Sequence, residues 1–149
     1  MEEKEIRIFP NSQKWEFKTE GGLSDYIENE LRTAERNGRY NFRRFKLVKN
    51  IPAGSTALFR FASKIIGWGE ILEKAIYKPF SNPDYGDYEG YLLFKPETIK
   101  TFDPPLLIKD LEKITGLIFH FKDNYNTGRV YYRIPLQFKV SIQSVVKEM

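Results

Sequence analysis

An α+β domain built on a mixed barrel or strongly curved sheet, flanked by two or three helices, is the architecture this sequence predicts. Three observations lead there. About six or seven short runs alternate apolar and polar residues in the manner of half-buried strands. Only two or three segments carry helical spacing. Turn residues recur at short intervals with no regular strand–helix alternation, which argues against a doubly wound parallel sheet.

The first element is a strand over Glu5–Phe9, where Glu, Ile, Arg, Ile and Phe alternate before Pro10 and Asn11-Ser12. Gly21-Gly22 is a break, and Ser24 is positioned to cap a helix running to about Arg36. Leu23, Ile27, Leu31 and Ala34 share one face of that helix, and Asn37-Gly38 stops it. Asn41–Lys49 reads as a strand and Ile51–Ser55 as a turn. Thr56–Phe61 and Lys64–Leu72 form a hairpin whose second strand extends toward Tyr77. Pro79–Glu89 reads as a loop, being rich in Pro, Gly, Asp and Tyr. Tyr91–Lys95 is a strand, and Pro104-Pro105 precedes a short helix near Ile108–Ile114. Leu117–Phe121 and Val130–Ile134 are strands on either side of a turn at Asp123–Gly128. From Pro135 onward the pattern fits a helix and a strand equally.

At 149 residues the chain is read as one domain, residues 1–149, with enough length for a substantial core. It is equally compatible with the N-terminal part of a larger protein. With no cysteine, disulfides, thiolate zinc sites and cysteine nucleophiles are excluded. The charged start and the lack of any long apolar run predict a cytoplasmic protein with no membrane association. Formal net charge is +4, a modest polyanion signal, whereas 12 Phe, 9 Tyr and 2 Trp are an unusual aromatic load. Most of those rings belong in a core.

No constellation selects a catalytic or metal site. His120 is the single histidine and alternates with Phe119 and Phe121, as a strand or core residue would. Gly-x-Ser-x-Gly, a Walker A loop and Gly-x-Gly-x-x-Gly are all absent. Asp84, Asp87 and Glu89 read as a solvated loop rather than a cation site. No cofactor is expected.

Two features point instead to nucleic acid. Arg32, Arg36, Arg39, Arg43, Arg44, Lys46 and Lys49 lie in one stretch opposed only by Glu35, with Tyr40, Phe42 and Phe45 interleaved. Arginine offers a planar fork to phosphate, and rings offer faces to unstacked bases. Gly67-Trp68-Gly69 places an aromatic between two glycines inside a strand, a pattern that marks close approach by another group.

The order of motifs resembles the PUA-like superfamily, in its EVE and YTH-related branches. The carrying residues are Gly54-Ser55, Leu58-Phe59-Arg60-Phe61, Ile65–Ile71 with its Ile-Ile-Gly-Trp-Gly-Glu run, and Tyr88-Glu89-Gly90-Tyr91-Leu92-Leu93-Phe94. The resemblance covers roughly residues 46–102, and the flanks follow by element order. The early tryptophan of the EVE pattern corresponds to Trp15 or Tyr40. The resemblance implies a small curved mixed barrel that accepts a flipped, modified base. It also implies partnership with a fused or associated AAA+ NTPase and nuclease, as in McrB-type modification-dependent restriction systems.

The expected function is therefore non-catalytic reading of a modified base in nucleic acid, DNA favoured over RNA. The base pocket would draw on Trp15, Tyr40, Asn41, Phe61, Ser63 and Trp68, and the backbone track on Arg39, Arg43, Arg44 and Arg60. Trp68 is a candidate for ordinary core as well. Two rivals stand beside this reading. An RNA-processing or hydrolytic enzyme on the same barrel would place a carboxylate in the cleft beside Trp68. A protein-interaction module would expose an apolar aromatic patch.

Overall fold

The computed structural model of the chain describes residues 3–11, 19–33, 36–119 and 132–148. Trp15, Ala34, His120 and the turn assigned to Asp123–Gly128 fall outside the described residues. Seven strands form one sheet: β1 (Glu5–Pro10), β2 (Arg39–Phe42), β3 (Thr56–Phe61), β4 (Lys64–Asn82), β5 (Gly86–Phe94), β6 (Lys100–Leu107) and β7 (Arg133–Pro135). Its order is β2-β5-β4-β3-β1-β7, with β6 also paired to β4. β1 runs parallel to β3, and the other pairs are antiparallel. Three helices accompany the sheet: α1 (Glu20–Tyr26), α2 (Ile108–Thr115) and α3 (Lys139–Gln143). The α+β class therefore holds. Among the described residues the sheet is open, with β2 and β7 at its ends.

Alternation along the strands creates two cores, one on each face. Ala57, Phe59 and Phe61 of β3 point to the first, with Phe9, Tyr40, Phe42, Leu92 and Phe94. Leu58 points to the second, with Ile6, Ile8, Trp68, Phe102 and Ile134. α1 closes the first core. Leu23, Ile27 and Leu31 are fully buried there, as the helical spacing predicts. The helix starts earlier than expected: Thr19, not Ser24, is the N-cap, and its hydroxyl accepts from Gly22 N at 2.9 Å. Ile27–Leu31 continues as a π-helical turn. The helical turns end at Leu31, short of the expected Arg36, while the chain reverses at Asn37-Gly38 as expected: both residues take positive φ and Gly38 N donates to Leu31 O.

Several strand boundaries need correction. The strand expected over Asn41–Lys49 is only Arg39–Phe42, followed by a 3-10 turn at Phe45–Leu47. The loop expected over Pro79–Glu89 is the far end of a β-ribbon. β4 runs on to Asn82 and β5 begins at Gly86, with Ser81 opposite Asp87. Asn82 Oδ1 accepts from the backbone of Asp84 and Tyr85, so these turn residues make a hairpin end rather than a long loop. β6 was not expected, because prolines disfavour strands. Pro104-Pro105 are tolerated since the β4–β6 register pairs Thr101 and Leu106 but skips the residues between. Leu117–Phe119 is not in a strand. Past Pro135 the chain is helical, and Glu148 then bridges back to Phe102.

Candidate nucleic-acid interface

β2 is an edge strand, and its alternation buries Tyr40 and Phe42 while turning Arg39 and Asn41 outward. Asn41 lies opposite Tyr91 and Arg39 opposite Leu93 on β5. This register brings the Arg39 guanidinium to 4.0 Å from the Tyr91 ring centroid, a diagonal cross-strand contact. Arg43, just past the strand, stacks 4.4 Å from the Tyr88 centroid and donates to the Asp87 carbonyl at 3.2 Å. Tyr88 in turn stacks on Phe80, centroids 5.2 Å apart. Asn41, between Arg39 and Arg43 in sequence, is half-buried, and its side-chain oxygen is itself buried and has no hydrogen-bond partner. Arg44, Lys46 and Lys49 are exposed beyond them. Arg32 is committed elsewhere, paired with Glu28 and donating to Ile99 O.

The aromatic candidates are not displayed as expected. Tyr40 is 7% exposed, packed on Phe9, Phe59 and Phe94, and its hydroxyl accepts from Asn11 Nδ2 at 2.8 Å. Phe61 is 7% exposed in the same core. Trp68 lies on the opposite face, 4% exposed, edge-on to Phe102 at 5.3 Å. Among the described residues all three rings are buried, Tyr40 and Phe61 in one core and Trp68 in the other. Their apolar area is worth more inside two cores than on a surface. Ser63 is exposed in the β3–β4 turn. Arg60 is a further correction: it is 2% exposed and donates to Ala62 O at 3.0 Å, so no phosphate reaches it without unpacking the sheet.

The glycines beside Trp68 have separate roles. A side chain at Gly67 would collide with the Lys100 carbonyl of β6, so the approaching group is another backbone. One at Gly69 would press on Ile99 at 3.1 Å and Phe94 at 3.3 Å.

Trp68 does edge a cleft of about 180 Å³ between the sheet and the C-terminal segment. Its indole N–H donates to Glu148 Oε2 at 2.8 Å, and Lys139 Nζ lies 5.9 Å from its ring. Two carboxylates line this cleft, Glu70 and Glu148, which is the arrangement the enzymatic rival requires. Both are engaged, Glu70 by Lys95 at 2.9 Å and Glu148 by the indole.

Tyr88 and Tyr91 stand out in the sequence only as motif residues, and Glu148 not at all. Arg39 meets Tyr91 only through the β2–β5 register, and Glu148 meets Trp68 across 80 residues. Local spacing carries neither signal. No protein-family model matches the chain, and no curated protein matches it significantly. Among the described residues no cluster of metal-ligating side chains occurs, and no helix is long and apolar enough to cross a membrane.

Proposed function

We propose that this chain is a nucleic-acid-binding module whose contact track runs along the β2 edge, through Arg39, Asn41, Arg43 and Arg44. The observation that carries the proposal is the pair of guanidinium–tyrosine stacks, Arg39 on Tyr91 and Arg43 on Tyr88. Stacking orients each guanidinium at little entropic cost, and a planar guanidinium matches phosphate oxygens bidentately. An amide side chain both donates and accepts, which suits a base edge. The finer reading is a PUA-like barrel that holds a flipped, modified base, with DNA favoured and an NTPase–nuclease as partner. The motif order over residues 46–102 supports it. So does the bulged, irregular pairing of β4, which bends a sheet in the way closure requires.

The test is fluorescence anisotropy with modified and unmodified single- and double-stranded oligonucleotides across a salt series. Arg39→Glu/Arg43→Glu/Arg44→Glu is expected to weaken every sequence alike and to flatten the salt dependence. Each lost phosphate contact removes about 0.9 from the log–log slope for duplex DNA. Unchanged affinity of the folded triple variant at low salt removes β2 from the track.

The cleft beside Trp68 favours a second reading, hydrolysis or RNA processing, because Glu70 and Glu148 line it. Cleavage of labelled oligonucleotides that disappears in Glu148→Gln would establish it in place of passive binding.

A further inference from the structure

The cleft between the sheet and the C-terminal segment holds an imbalance that the binding track does not use. Thr56, only 2% exposed, lines it, and its hydroxyl has no hydrogen-bond partner. An orphaned buried hydroxyl is unfavourable unless a water or ligand meets it. Lys100 and Lys139 line the same cleft, and neither makes an ion pair within 4.0 Å of a described carboxylate. The two lining carboxylates are occupied by other groups: Glu70 by Lys95, and Glu148 by the Trp68 indole. Two ammonium groups and a hydroxyl are thus left over around a space of about 180 Å³.

We propose that this cleft is a binding site for a phosphate monoester. Such a group carries about −1.5 to −2 charge near neutral pH and offers three strong acceptor oxygens. That matches two ammonium donors and one hydroxyl donor. A carboxylate would leave part of this donor set unused. Two lining carboxylates oppose the ligand: Glu70 is offset by Lys95 at 2.9 Å, and Glu148 has one oxygen held by the Trp68 indole.

The site's position connects it to the binding track. Trp68 and Glu70 leave the sheet on the face opposite the first core, and Lys95 reaches Glu70 on that same face. Phe94, opposite Ile71, points into the first core. Leu93, with its partner Arg39 on β2, therefore faces the same way as the cleft. A nucleic-acid strand on the β2 track and a phosphate in the cleft would lie on one side of the sheet. The terminal phosphate of a strand and a free mononucleotide present the same chemistry. The oligonucleotide source rests on the proposed function; the site itself does not.

Calorimetric titration of the full chain with adenosine 5′-monophosphate and with adenosine tests the site directly. Anisotropy with a 5′-phosphorylated and a 5′-hydroxyl oligonucleotide of one sequence distinguishes the sources. The monophosphate is expected to bind at least about tenfold tighter than the nucleoside. Lys100→Met/Lys139→Met should erase that difference, and Glu148→Gln should increase it several-fold. A chain that prefers the monophosphate and the phosphorylated strand reads strand ends. One that prefers the monophosphate alone binds mononucleotides. Equal affinity for monophosphate and nucleoside in the wild-type protein overturns the site, as does a preference that survives in the folded double-lysine variant. Binding of the 5′-hydroxyl strand that depends on Arg39 and Arg43 reports on the β2 track separately, so failure of one leaves the other readable.

Discussion

Arg39 and Arg60 show how burial decides what an arginine can do. Both lie in strands, yet alternation turns Arg39 out over Tyr91 and Arg60 inward to Ala62 O. Arg39→Glu alone is therefore expected to weaken oligonucleotide binding at low salt without lowering the melting temperature. Arg60→Glu would instead place a carboxylate in a buried strand and should destabilise the fold by several kcal/mol in urea titration. Gly67 and Gly69 separate in the same way. Gly67→Ala pushes a methyl group against the β6 backbone, which cannot move aside, and should cost about 1–3 kcal/mol or more. Gly69→Ala meets side chains that can shift by tenths of an ångström and should cost less in the same urea titration. If the two costs come out reversed, Lys100 O is not the constraint. The paired glycines were legible in the sequence, but whether a base or a backbone approached them was not.

Among the elements, α1 and the β4–β5 ribbon teach the most. The buried stripe of α1 is plain from its spacing, while its start depends on which hydroxyl meets the first free N–H groups. Thr19→Ala should cost about 1 kcal/mol in thermal or urea unfolding, and Ser24→Ala close to nothing, because Thr19 is the cap. A larger loss at Ser24 would restore the later start. Pro79, Pro83 and Gly86 are punctuation residues that predict a loop where the ribbon forms. What makes it a ribbon is pairing between strands, together with the Phe80–Tyr88 stack. With Tyr77 59% exposed and residues 83–87 exposed at the tip, the ribbon's end should exchange its amide hydrogens well before β3.

At the scale of the whole molecule, two cores share one sheet, and the C-terminal segment is tied to the second. Glu148 accepts from Trp68, and Asp103 N donates to Lys147 O at 2.9 Å. Trp68→Phe keeps most of the ring packing but removes a hydrogen bond to a charged acceptor, a loss of about 1.5–3 kcal/mol at most. It should speed exchange at Asp103 and in residues 144–148 while leaving β1 and β3 protected. Uniform loss of protection would show that the segment is integral to the fold rather than fastened to it at Trp68.

Local patterning accounts for the α+β class, the buried face of α1, the chain reversal at Asn37-Gly38, and the strands β1 and β3. Each of these depends on residues within about one helical turn or one strand of each other. The sequence also displays the basic stretch from Arg32 to Lys49. Packing between distant segments makes Tyr40 and Phe61 core and turns Trp68 the other way. The same holds for Tyr91 meeting Arg39 and for Glu70 and Glu148 flanking one cleft. The physical reason is the pleat: every strand offers two faces, and which face is wet depends on what the rest of the chain lays across it.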